Sequence, residues 1–345
     1  MARLKYLIFF FLFYVVSLNA FEFNGYLRNT SYLSQESKSR YYFTNLSLLS
    51  MDFDAVYDDK GEVYGNFSFM VIAPFMLGIT EAIFGPDIDR LYIKMYSGNG
   101  SLTVGKQSLH WGSAQVFRLQ DYFSPVPLMM SSVEEVGVNS FIVSGSYKIL
   151  SFDGIVAAND FIHFSRGVNI SLEWNRVNIG VNYALLNRKQ DIFGLNFTFS
   201  LNNFIIYDEF VIIPADDNAL QNTIGVSFAS GSLMTNFEYF YNDIQKDYHR
   251  FMPTKFYIYP YFWYSNKNYI AVTGSYGIEE IADIQLLSMI NIDDKSNLSF
   301  LSVSKMVVQD LNVGFGISFI DGHQNTEFYA MKKATGAFLE FKTWW

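Results

Sequence analysis

Two runs of strict alternation, joined by two turn-prone residues, constrain this chain more than any other feature in it. In VNISLEWNRVNIGVNYALL, Val168, Ile170, Leu172 and Trp174 alternate with Asn169, Ser171, Glu173 and Asn175. After Asn175-Arg176 the period resumes with Val177, Ile179, Val181, Tyr183 and Leu185 against Asn178, Gly180, Asn182 and Ala184. Successive side chains of an extended strand point to opposite faces, so each run has one apolar and one polar face. The two-residue join then predicts a hairpin with all its apolar side chains on one side. LNVGFGISF repeats the pattern, with Leu311, Val313, Phe315, Ile317 and Phe319 set against Asn312, Gly314, Gly316 and Ser318. The polar faces are rich in Asn, Gly and Ser.

Similar runs recur along the chain between turn clusters such as 58–61, 97–100, 202–203, 230–231 and 293–295. They amount to roughly nineteen candidate strands of about ten residues, the length a tilted strand needs to cross a bilayer. The rhythm predicts one antiparallel meander in one domain. An up-and-down barrel that starts and ends at the same side needs an even count, so 16 and 18 strands both remain open. A soluble sandwich or β-helix would alternate in the same way, with its apolar face inward.

Composition bears on that choice. Half of the 345 residues are hydrophobic, with 35 Phe and 24 Tyr, yet no stretch after residue 20 is apolar for the roughly 18 residues a membrane helix requires. Rings gather near expected strand ends, at Tyr41, Tyr42, Tyr57, Trp174 and in FYIYPYFWY over 256–264, as in the girdles of membrane barrels. The first twenty residues, MARLKYLIFFFLFYVVSLNA, carry Arg3 and Lys5, then an apolar core, then Ala20, the pattern of a secretory signal. The expected division is a signal peptide over 1–20 and a barrel over 21–345.

Loss of that signal leaves 22 bases against 33 acids, a net charge of −11 in place of −9. Such a balance argues against nucleic acid as a partner. With no cysteine in the chain, disulfides, thiolate nucleophiles and thiolate metal sites are excluded. The histidines, His110, His163, His249 and His323, have neither the spacing of metal ligands nor a readable Ser/His/Asp pattern. His110 reads as a polar residue at a strand end. No cofactor, metal or enzymatic activity is expected.

The final segment GAFLEFKTWW places Ala337, Leu339, Phe341, Thr343 and Trp345 at alternate positions and stops on an aromatic residue. It resembles the last strand of Gram-negative outer-membrane β-barrels, and FEFNGYLRN after the signal resembles a first strand of that family. Thr343 departs from the Tyr usual there. The resemblance implies a transmembrane antiparallel β-barrel in the cell outer membrane, in contact with lipid and lipopolysaccharide. It also implies insertion by the barrel-assembly machinery through the C-terminal strand, and it leaves assembly into a homo-oligomer open.

Residues 105–125, GKQSLHWGSAQVFRLQDYFSP, begin as a strand and then leave it. Gly105, Gln107, Trp111, Gly112, Asp121, Phe123 and Pro125 resemble a porin-like pattern of Gly-Arg-Gln, Trp-Gly, then Asp and an aromatic before Pro. Lys106 stands where that group has Arg, and Ser124 where it commonly has Asn. The resemblance puts Gly105 on the fifth strand and 112–137 in the third external loop. In general porins that loop folds inward and narrows the lumen, so Lys106, Gln107, Arg118, Asp121, Glu134 and Glu135 are the expected constriction residues. Simple alternation from Leu102 and Val104 would aim Lys106 at lipid. Either a bulge at Gly105 turns it into the lumen, or it snorkels above the hydrocarbon. The apolar PVPLMM within the loop suits packing on a wall, although a loop covering the mouth or touching a neighbour stays open. The function implied is passive or weakly selective diffusion of small hydrophilic solutes. A structural or adhesive barrel, or a hydrolase, is the alternative.

Overall fold

The computed structural model describes residues 22–37, 40–57, 60–75, 83–123, 126–127, 137–158, 164–186, 190–214, 219–243, 257–258, 266–278, 281–323, 326–328 and 335–345. The strands are β1 (Glu22–Ser37), β2 (Arg40–Tyr57), β3 (Gly61–Phe75), β4 (Ile83–Ser97), β5 (Gly100–Gln107), β6 (Val126–Pro127), β7 (Val138–Tyr147), β8 (Leu150–Ala158), β9 (Phe164–Trp174) and β10 (Val177–Leu186). They continue with β11 (Gln190–Leu201), β12 (Phe204–Ile213), β13 (Ala219–Ser230), β14 (Leu233–Asn242), β15 (Tyr257–Ile258), β16 (Asn268–Ile278), β17 (Ala282–Asn291), β18 (Asn297–Val308), β19 (Leu311–Asp321) and β20 (Gly336–Trp344). The expected signal peptide over 1–20 lies outside the described residues.

Eighteen of these strands form one antiparallel sheet in which chain neighbours are sheet neighbours. The two-residue strands β6 and β15 pair separately. The sheet closes because β1 pairs with β2 on one side and β20 on the other, with Tyr26 opposite Trp344 and Thr30 opposite Glu340. The architecture is therefore an 18-stranded up-and-down barrel, the upper of the two counts the strand rhythm allowed, and not a sandwich or β-helix. At one end the strands are joined by tight turns with positive φ at Gly98, Lys148, Asn175, Asn202 and Gly231. These φ values belong to the hairpin turns whose twist matches that of paired strands. The longer connections lie at the other end.

Burial gives the direction of each face. Ile170, Val181, Phe315 and Ile317 are exposed, while Asn169, Asn182, Gln221 and Glu238 from the opposite phase are buried. An apolar exterior around a polar interior inverts the soluble pattern and suits a surface in hydrocarbon. The register breaks on β4, where Asp89 is an extra residue between Arg90, opposite Asn66, and Ile88, opposite Phe67. Gly105 has φ +136°, but the pairing of β5 with β4 and β7 runs through it without a shift. Of the two readings for Lys106, a bulge at Gly105 is not what forms; the register shift lies one strand earlier, on β4.

Candidate functional site

Between β5 and β7 the chain turns into the barrel and lies along one wall. Six loop N–H groups are gathered by two carboxylates that project inward from that wall. Glu209 on β12 accepts from the N–H of Ser113, of Ala114 (2.6 Å) and of Leu119 (3.0 Å). Glu238 on β14 accepts from Gln115 (2.6 Å), Val116 (3.1 Å) and Phe117 (2.8 Å), and from the Tyr207 hydroxyl (2.7 Å). Thr223 on β13, between them, donates to the Phe117 carbonyl at 3.0 Å. Glu209, Thr223 and Glu238 are wholly buried. A buried carboxylate is tolerable only when its charge is met, and here converging backbone dipoles meet it. Gly112 belongs to this close approach, since a Cβ there would run into the Glu209 carboxylate.

The return leg of the loop is tied to the next strands. Gln120 Oε1 accepts from Asn182 on β10 (2.7 Å) and Asn196 on β11 (2.8 Å), and its Nε2 donates to the Leu195 carbonyl (2.9 Å). The Tyr122 hydroxyl donates to Asn182 Oδ1 at 2.7 Å. Burial drives its phenol well above the ordinary value of 10, with the Glu209 and Asp121 charges adding to the effect. Trp111 packs edge-on against Tyr122 and Phe123, at ring separations of 6.1 and 5.3 Å. Phe117 stacks on Phe240 of β14 at 5.0 Å. At least one inward residue from each of the five successive strands β10 to β14 thus holds the loop.

The expected constriction residues fall into four groups. Arg118 and Asp121 are neighbours on the loop, Nη1 to Oδ2 3.8 Å, and Asp121 is buried. Gln107 is buried at the end of β5 and donates to Ser140 Oγ at 3.0 Å. Lys106 falls in the outward phase of Val104, opposite Leu91, and its ammonium donates to the carbonyl of Ile88. Glu134 and Glu135 lie outside the described residues. Sequence reasoning passed over Glu209, in a strand nearly as apolar inward as outward, and Glu238, flanked by aromatic residues on β14. It also set aside His110, whose ring joins Ser108 Oγ (2.8 Å from Nε2) to Asp121 Oδ2 (2.8 Å from Nδ1). Ser108 and His110 are two residues apart, but Asp121 is eleven further on, so only the folded loop assembles the relay.

Among the described residues, none of this loop reaches the opposite side of the barrel. In ring order β12 is the eleventh of eighteen strands, and half a ring further on is the second, β2. That wall is polar and carries both signs of charge. Arg28 on β1 lies 4.0 Å from Glu340 on β20, and Thr30 donates to the same carboxylate at 3.1 Å. The Lys342 ammonium sits 3.9 Å from the centre of the Tyr26 ring, and Arg90 lies 5.3 Å over Tyr64. Tyr64 stacks on Tyr92 at 5.4 Å and donates to Asp52 at 3.2 Å. Among the described residues no group of acidic or histidine side chains could hold a metal ion.

No protein-family model matches the chain, and no curated protein matches it in sequence. Solved structures match its fold. Over 94% of this chain and 100% of the other, it is similar to a mutant of the Rhodopseudomonas blastica porin, with a TM-score of 0.51 and 9% identity. It is similar also to Pseudomonas aeruginosa OccK5, over 93% of this chain and 96% of that one, with a TM-score of 0.56 and 6% identity. By fold, then, the chain is an 18-stranded barrel like those of solved porins.

Proposed function

We propose that the protein is an outer-membrane channel for passive diffusion of small hydrophilic solutes, exported by a signal over residues 1–20, with the loop after β5 narrowing its lumen. One observation carries the reading: the loop is bound to β12 and β14 by six N–H groups on Glu209 and Glu238. A solute would pass between the loop, with Arg118 on its surface, and the charged wall of β20 and β1–β4. Charges of both signs on low-dielectric walls create a field across the gap that orients dipolar solutes. Planar-bilayer recording tests this. The refolded protein should conduct in steps, and deleting residues 113–123 should raise the step size. A deletion variant that inserts normally with unchanged conductance would remove the loop from the pore.

One observation favours a second reading, a serine hydrolase. The chain Ser108–His110–Asp121 has the order and spacing of a nucleophile, base and orienting carboxylate. A fluorophosphonate probe decides. Labelling of Ser108 that is lost in His110→Ala would establish a reactive serine, and an unlabelled protein retires the hydrolase.

A further inference from the structure

The last strand presents a ring, an acid and a base to the lumen at successive inward positions. Leu339 and Phe341 of β20 are exposed on the outer face, so Phe338, Glu340 and Lys342 point inward, and all three are half-buried. Alternate residues of a strand stand roughly 7 Å apart. Phe338 lies over Gly316 of β19, where a Cβ would run into its ring, and so reaches Phe300 on β18. Those two rings are nearly parallel, with 5° between their planes and 5.4 Å between their centres. Tyr32 of β1 flanks Phe338 at 5.7 Å.

Glu340 stands opposite Gly314, which adds no side chain to the wall beside it. Thr30 and Arg28 both address Oε2 of Glu340, and among the described residues no hydrogen bond is made to Oε1. Arg28 is opposite Lys342, whose ammonium sits over the Tyr26 ring. A flat apolar face, an open acceptor and two cations therefore follow one another along the wall. A neutral sugar would stack on the rings but give the charges no counter-charge. A dicarboxylate would meet Glu340 with like charge, and a diamine would meet Lys342 and Arg28 in the same way. A zwitterion with a ring satisfies every group: the ring stacks, the ammonium donates to the carboxylate and the carboxylate accepts from the cations.

We infer that this stretch of the lumen wall is a binding site for an α-amino acid with an aromatic side chain. Its ring lies on Phe338, its ammonium on Glu340 Oε1, and its carboxylate between Lys342 and Arg28. In such a molecule both charged groups sit on one carbon and the ring is one carbon away. A ring held at Phe338 therefore brings the ammonium to the next inward residue and turns the carboxylate toward the one after it. Low-dielectric walls strengthen both charge contacts. The inference rests on the channel reading for the ligand's route to the site, but the site itself belongs to β20, β19 and β1 and does not involve the inward loop.

The test is saturable retention of tritiated phenylalanine by the whole protein in lipid nanodiscs, which reads the site whether or not the barrel conducts. Phenylpropionate, which lacks the ammonium, phenethylamine, which lacks the carboxylate, and alanine, which lacks the ring, should each compete about tenfold more weakly than phenylalanine. Two variants then assign the groups. In Glu340→Gln phenylalanine should lose its advantage over phenylpropionate and keep that over phenethylamine, and in Lys342→Gln the pattern should reverse. A merely loosened wall would weaken all competitors together. Absence of saturable retention in the wild-type overturns the inference, as does equal competition by all the analogues, or an order of analogues that both variants leave unchanged. The wild-type ranking decides even where a variant fails to insert. A protein that retains phenylalanine but gives no conductance steps keeps this site and loses the channel; one that conducts without retaining it keeps the channel and loses the site.

Discussion

At the scale of single residues, the connection between β17 and β18 shows how one carboxylate fastens two loop ends. Asp293 Oδ2 accepts from the N–H groups of Lys267 (2.7 Å) and Asn268 (2.8 Å), and its Oδ1 accepts from the Asn268 amide (2.8 Å). Burial would push its carboxyl up, but the bonds from Asn268 and Lys267 and the Lys267 charge outweigh that and hold it below the ordinary carboxylate value. A lowered folded-state value means the stabilisation is fully present above the unfolded value of about 3.9 and is lost as pH falls through the folded one. Hydrogen-exchange protection at Lys267 and Asn268 should therefore hold steady from neutral pH to about 4 and decline below it. In Asp293→Asn the decline should vanish. A protection profile that is the same in both proteins would mean Asp293 does not fasten this connection. No local pattern in the sequence marks Asp293, because its partners are about 25 residues away on another strand.

At the scale of the element, the inward loop is held by hydrogen bonds to two carboxylates as well as by apolar packing of Phe117, Leu119 and Phe123. Each such bond contributes about 1.5–3 kcal/mol, and a buried N–H left without a partner adds its own desolvation cost. In Glu209→Gln and Glu238→Gln one acceptor oxygen becomes a donor facing other donors. Each variant should lose on the order of 2–4 kcal/mol of loop docking, read as noisier open-channel current and greater protease access at residues 113–119. The double variant should approach the loop deletion in conductance. Quiet currents and intact loops in both single variants would assign the docking to Gln120, Tyr122 and the aromatic contacts. Legibility in the sequence divides along the same line. The polar phase of VNIGVNYALL identified Asn182 as inward, but its partners Gln120 and Tyr122 lie about 60 residues upstream. FIIYDEFVII concealed Glu209, because Tyr207, Val211 and Ile213 make its inward face nearly as apolar as its outward one. The carboxylate itself was the available signal, an acid in the middle of an apolar strand.

At the scale of the whole molecule, the period of two was enough to read an all-β meander and the facing of its strands, because that period is a property of single strands. The count of eighteen was not, since the rhythm alone offered roughly nineteen candidate strands and left 16 and 18 both open. Closure depends on the last residues. Trp345 and Gly25 exchange backbone bonds at 3.3 and 3.1 Å, and Trp344 stands opposite Tyr26. Deleting Trp344 and Trp345 should leave synthesis unchanged and cut the heat-modifiable, membrane-inserted fraction severalfold on a gel of separated membranes. Equal insertion of the truncated chain would make the seam independent of its aromatic end. The sequence separations bear on the order of events. The carboxylate and hydroxyl contacts that dock the loop join residues 90 to 123 apart, whereas the seam joins Thr30 to Glu340, 310 apart. Shorter closures cost less chain entropy and form sooner. The loop can therefore settle on its wall while the sheet is still open, and the last strand then shuts the barrel around an obstruction already in place, so nothing has to be threaded through a finished pore.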